Sequence, residues 1–182
     1  DNYSGDLGGG GILISSSIAN LTNMTITNNY AETKGGGITM VETGSESTFN
    51  FSNSIIANNF AGEQGGAIWH NLPEQTLFNN LTVVNNTSEL GSLIYLYGTA
   101  APIFTNSIIV YNDDSPIEII DSNVSPTFLY SNIYGNGFIE DNYIGEGCIT
   151  EDALFQDSEN YNFTLQSTSP CIDAGDPNSS LD

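Results

Sequence analysis

An aliphatic residue followed three positions later by Asn recurs along most of this chain, and that pairing constrains the fold more than any other feature. It occurs as Ile26 with Asn29, Ile56 with Asn59, Val83 with Asn86, Ile109 with Asn112 and Ile133 with Asn136. The Asn positions 29, 59, 86, 112 and 136 are separated by steps of 30, 27, 26 and 24 residues. Periods of that length belong to solenoids, in which each repeat is one coil stacked on the next.

Other columns keep the same register. Six residues before each of these Asn lie Asn23, Asn53, Asn80 and Asn106, with Tyr130 in the last coil, and two residues earlier come Leu21, Phe51, Phe78, Phe104 and Phe128. Glycine bends open the coils at Gly9-Gly10-Gly11-Ile12, Gly35-Gly36-Gly37-Ile38 and Gly65-Gly66-Ala67-Ile68, then degenerate to Gly91-Ser92-Leu93-Ile94. Segments such as Phe51-Ser52-Asn53 and Ile12-Leu13-Ile14 have the residue types of short strands, with Gly and Asn supplying the bends. A coil of this length accommodates about three short strands plus turns. Strands one turn apart then pair at about 4.8 Å, so equivalent side chains lie above one another.

The chain therefore reads as an all-β, right-handed parallel β-helix with three-strand coils and about five to seven turns. The coils occupy 1–138, and 139–182 reads as an irregular closing segment of the same domain. The Phe and Ile/Val columns are expected inside. Both Asn columns are expected as ladders in which each amide satisfies the next, since a lone buried Asn is costly. Asn23 and Asn80 should then be buried and unusable as glycosylation sites.

The C-terminal part carries a family resemblance, as do the Gly-Gly-Ala/Gly-Ile and aliphatic-x-x-Asn pairs. The pairs resemble the repeats of chlamydial polymorphic membrane proteins. The stretch Asp152-Ala153-Leu154-Phe155, then Tyr161 to Leu165, then Ser169-Pro170-Cys171-Ile172-Asp173-Ala174-Gly175-Asp176-Pro177 is similar to the closing segment of bacterial secreted β-helix proteins with pectate-lyase-like folds. The resemblance implies the fold and an extracellular or cell-surface setting. It implies no single activity, because such scaffolds host lyases, hydrolases, adhesins and structural rods.

Charge narrows the partners. Asp and Glu number 22, Lys34 is the only base, and the formal net charge is −21. Such a surface repels nucleic acid and anionic lipid, which need Lys or Arg to replace counterions. It is expected to gather cations instead, Ca²⁺ included, and to bind them weakly. No apolar run is long enough to span a bilayer. Glu140, Asp141, Glu146, Asp152 and Asp157 crowd the closing segment and are the candidate metal ligands, although no EF-hand or nonapeptide Ca²⁺ repeat is present. No other cofactor is indicated. Cys148 and Cys171 suit one disulfide in an oxidising compartment, with two buried thiols as the alternative.

Enzymatic chemistry finds few candidates. A pectate-lyase-type proton abstraction uses an Arg or Lys base, and this chain has no Arg and only Lys34, which sits beside a glycine bend. Glycoside hydrolysis needs two facing carboxylates. Asp113 and Asp114 are the nearest pair, but adjacent residues on a strand face opposite sides. His70 is the only His and its column, Ile14, Met40, His70 and Leu96, is mainly apolar. With Trp69 and Tyr95 it could line a small aromatic face that stacks on surface glycans, or these could be ordinary aromatics of a parallel sheet. Sequons include Asn20-Leu21-Thr22, Asn23-Met24-Thr25, Asn50-Phe51-Ser52, Asn80-Leu81-Thr82, Asn123-Val124-Ser125 and Asn162-Phe163-Thr164.

These readings leave two functions. The first is an extracellular structural or adhesive protein without catalysis, whose partner is itself by head-to-tail stacking or an adjacent domain of a longer chain. Its motivation is the N-terminal coil, where nothing amphipathic is seen to cover the strand edges. The second is a polysaccharide-active hydrolase or lyase, or a glycan-binding module, on the same scaffold.

Overall fold

The structure, a computed structural model, describes residues 1–6, 8–15, 18–42, 48–112, 115–120, 124–137, 139 and 141–179. It is a parallel β-helix of about four turns, fewer than the five to seven expected. Five strands stack on each face, and the four steps between them make the turns.

Three faces build each coil. On the glycine face stack β2 (Ile12–Ser15), β6 (Ile38–Val41), β9 (Ile68–Asn71), β11 (Ile94–Leu96) and β14 (Ile117–Ile119), all parallel. Two further faces share one bent sheet. The phenylalanine face holds β3 (Ile18–Thr22), the first half of β7 (Thr48–Ala57), the first half of β10 (Leu77–Val84), β12 (Ile103–Thr105) and β15 (Thr127–Leu129). The isoleucine face holds β4 (Thr25–Thr27), the second halves of β7 and β10, β13 (Ile108–Val110) and β16 (Asn132–Tyr134). A small sheet of β1 (Tyr3–Ser4), β5 (Tyr30–Ala31) and β8 (Phe60–Ala61) closes the corner beyond it.

The bends come from the Asn residues themselves. Asn23, Asn53, Asn80, Asn106 and Tyr130 all have φ between 48° and 57°, and so turn the chain from the phenylalanine face to the isoleucine face. Asn is the non-glycine residue best suited to that left-handed conformation. A second left-handed column, Asn28, Asn58, Asn85 and Tyr111, turns the chain again one residue before each ladder Asn. The glycine bend has a different reason at each position. Gly35 and Gly65 need φ of 65° and 69°. Gly36 has an ordinary φ, but a Cβ there would lie 2.5 Å from the Phe60 carbonyl group.

Packing places the columns as their spacing implies. Phe51, Phe78, Phe104 and Phe128 are all under 2 % exposed. Phe78 stacks on Phe104 with ring centroids 4.6 Å apart, and Phe104 on Phe128 at 5.1 Å. Ile56, Val83 and Ile109 complete the core from the isoleucine face, and Ile38, Ile68 and Ile94 from the glycine face. Aromatic stacking of this kind adds to the burial of the rings.

The closing segment is more regular at its start than expected. Parallel bridges from Phe128 to Ile144 and from Asn132 to Ile149 carry the stack past residue 139. Tyr143, Ile139 and Ile144 pack against the interior there. Beyond it, β17 (Phe155–Asp157) and β18 (Asn162–Leu165) form an antiparallel hairpin. Phe155, Phe163 and Leu165 cover Ala57, Val84 and Val110 on the outside of the isoleucine face, which makes a second, external core.

Candidate functional site

The ladder Asn column is where polar chemistry concentrates. Asn29, Asn59, Asn86 and Asn112 are at most 4 % exposed, and each donates from Nδ2 to Oδ1 of the next at 2.9–3.0 Å, ending on Asn136. Each Oδ1 also accepts the backbone N–H of the preceding ladder Asn, as Asn86 Oδ1 does from Asn59 N at 3.0 Å. The second Nδ2 hydrogen reaches a carbonyl on the preceding coil, Ile26 O from Asn59 and Ile56 O from Asn86. Asn2 heads the ladder by donating to Asn29 Oδ1 at 3.0 Å. The sequence reading missed Asn2, although it lies one 27-residue step before Asn29.

The other Asn column is a different object. Asn23, Asn53 and Asn80 are exposed and Asn106 is half-buried, so the expectation that Asn23 and Asn80 are buried is wrong. Left-handed φ swings these side chains away from the core. Asn80 still donates to Asn53 Oδ1 at 3.0 Å, but Asn106 donates to Asn79 rather than Asn80. The buried polar partner at this corner is a hydroxyl column: Ser54, Ser107 and Ser131 accept from Met24 N, Leu81 N and Ser107 N.

The three residues suggested for glycan stacking do not form an open face. Trp69 and Tyr95 point outward from the glycine face but are only 6 % and 5 % exposed. Trp69 donates to Gln64 Oε1, has Lys34 Nζ 4.5 Å from its ring centroid, and stacks near Tyr97. His70 points the other way, into the core, and is fully buried with Nε2 2.9 Å from Thr76 Oγ1. Burial lowers its pKa to about 4. A neutral imidazole sealed in the core has no route to a substrate proton. The structure shows instead a His–Thr pair inside a hydrophobic stack.

The carboxylates disperse. Asp152 accepts from Leu154 N, and Asp157 caps the turn at Ser158–Asn160. Glu146 takes a hydrogen bond from Tyr130, which raises the phenol's pKa. Among the described residues no three His, Cys, Asp or Glu come together as a metal site. Glu140 lies outside the described residues, as do Asp113, Asp114 and Asn123.

The disulfide is corrected. Cys148 and Cys171 are both free thiols. Cys148 packs against the interior cluster and donates to the Phe128 carbonyl at 3.3 Å. Cys171 packs in the external cluster, with its Sγ 2.9 Å from Asn132 Nδ2. The two sulfurs belong to opposite sides of the isoleucine wall.

A groove of about 680 Å³ runs along the outside of the exposed Asn bend. Asn53, Asn80, Asn106 and Tyr130 line it, Asn132 lies in its lining, and Cys171 and Gly175 of the closing segment form a wall. Asp176 N pins that wall by donating to Asn106 Oδ1 at 2.8 Å. Tyr130 rests on Gly147, where a Cβ would strike its ring.

Comparison with protein-family models, curated proteins and solved structures finds no match to this chain. The class that the chain's own geometry defines is the parallel β-solenoid.

Proposed function

We propose that this chain is an extracellular structural or adhesive protein, a rod that works by stacking and presenting surfaces rather than by catalysis. The observation that carries this reading is the continuous ladder from Asn2 to Asn136, buried from Asn29 to Asn112, which commits the repeated polar residues to holding coil on coil. The similarity of its repeats and closing segment to bacterial secreted β-helix proteins supports the same setting.

Head-to-tail stacking is supported by the glycine face. Its parallel sheet ends at β2 on one side and β14 on the other. Ile12 and Ile14 start two inward columns that Ile117 and Ile119 finish. A second copy placing its β2 beneath β14 would continue both columns in parallel register, a non-closing heterologous contact that propagates. A −21 charge opposes lateral clumping of such rods and makes divalent cations a condition for assembly.

Electron microscopy of the purified protein with salt and Ca²⁺ tests this. Thin, unbranched filaments are expected, and only dispersed monomers at every concentration would overturn it. Reducing-sugar release or unsaturated products from a polysaccharide panel would favour the enzymatic alternative.

A further inference from the structure

We propose that the groove along the exposed Asn bend binds a neutral, hydroxyl-rich saccharide, with Asn132 as the buried anchor of the site. Asn132 is only 3 % exposed, and its Nδ2 is fully engaged, donating to the Glu151 carbonyl at 2.8 Å and meeting Cys171 Sγ at 2.9 Å. Its Oδ1 is buried with no partner among the described residues. An orphaned buried acceptor is costly, and it is found where a missing donor belongs.

The surroundings specify that donor. Every equivalent position on the isoleucine face above it is Thr or Ile (Thr25, Ile55, Thr82, Ile108), so the amide appears only where the closing segment builds a wall. The rim carries amide donors and acceptors, because Asn80 donates to Asn53 and leaves its own Oδ1 and the Asn53 Nδ2 for a ligand. The Tyr130 ring, Ile108 and Ala174 add apolar patches of the kind that meet the C–H faces of a sugar. No cationic side chain lines the groove, and the Glu146 and Asp176 carboxylates lie beside it. Uronates and phosphates are therefore disfavoured, and a neutral polyol fits. The volume is that of a small-ligand site, open on one side as a chain segment requires.

This inference supplies the adhesive part of the proposed function with a ligand class, and binding is read separately from filament formation. The ¹⁵N-labelled protein is titrated with cellohexaose, xylohexaose, mannohexaose and chitohexaose, with trigalacturonate as the charged control. At least one neutral sugar should shift the Asn132 side-chain amide resonances and protect Cys171, but not Cys148, from alkylation. Tyr130→Asn and Asn80→Gly both suit the left-handed backbone there. Each should weaken binding about tenfold, the loss of roughly one good polar or stacking contact. The proposal is overturned if none of the four neutral sugars moves the Asn132 resonances at millimolar concentration. It is equally overturned if both folded variants bind unchanged, or if trigalacturonate binds as tightly. Filaments that form without any sugar binding would leave the rod reading standing and remove this one.

Discussion

Replacing Asn86 by Ala should be among the most damaging single changes in this protein, although it removes only a small neutral side chain. Asn86 is fully buried and sits mid-ladder. Its Oδ1 accepts from Asn59 N and Asn59 Nδ2, at 3.0 and 2.9 Å, and its Nδ2 donates to Ile56 O, Val84 O and Asn112 Oδ1. In N86A the Asn59 backbone N–H loses its acceptor outright and Asn59 Nδ2 loses one of its two. Two buried donors left unsatisfied, at ~1–3 kcal/mol each, give a loss of about 2–6 kcal/mol. That is a large share of the roughly 5–15 kcal/mol that holds a domain of this kind. In a chain this long it corresponds to a fall in Tm of roughly 2–4 °C per kcal/mol. Urea unfolding followed by circular dichroism measures it, with Asn53→Gly as the control: Asn53 is exposed, its φ is 51°, and Gly keeps that conformation. The control should lose less than about 1 kcal/mol. Equal midpoints for N86A and N53G, at equal m values, would refute the ladder as a stabilising device.

Three further outcomes follow from particular residues. His70 has a folded pKa of about 4 against ~6.5 unfolded, so the unfolded chain binds the extra proton between those values and His70 makes stability fall as pH drops through that window. The full effect is about 3 kcal/mol, and it should appear as the pH-dependent difference between wild type and His70→Leu, whose side chain matches Leu96 below it; parallel pH–stability curves would contradict the burial of a neutral imidazole. Gly36→Ala should destabilise by more than about 2 kcal/mol in the same urea assay, because its Cβ would meet the Phe60 backbone rather than a side chain that can move; a change under 0.5 kcal/mol would show that the coil relaxes there. Mass spectrometry after alkylation of the unfolded, unreduced protein should add two labels, at Cys148 and Cys171, and an unlabelled pair linked to each other would contradict their separation across the wall.

Much of the fold was legible because stacking forces like residues into register. Five Asn and four Phe at matching steps specify coils, an interior and a direction without any knowledge of the turns. What remained hidden depended on φ rather than on spacing. Nothing in the spacing separates the column of Asn29 from that of Asn53, yet one is a buried ladder and the other an exposed left-handed bend. The Asn28, Asn58 and Asn85 column was overlooked for the same reason, although each precedes a ladder Asn directly. His70 illustrates the other limit: its apolar column pointed to the core, but only the placement of Thr76 explains how the ring is accommodated. Asn132 was invisible as a candidate, because its meaning arises from Cys171 and Glu151 reaching it from distant parts of the chain.

Filaments of the purified protein, grown with Ca²⁺ and oriented for fibre diffraction, test the stacking rod most directly. If copies join β14 to β2 in parallel register, the strands of every coil run across the filament and the ~4.8 Å strand spacing appears as a reflection along its axis. Filaments with that spacing across the axis, or preparations that yield only separate particles, would contradict the account.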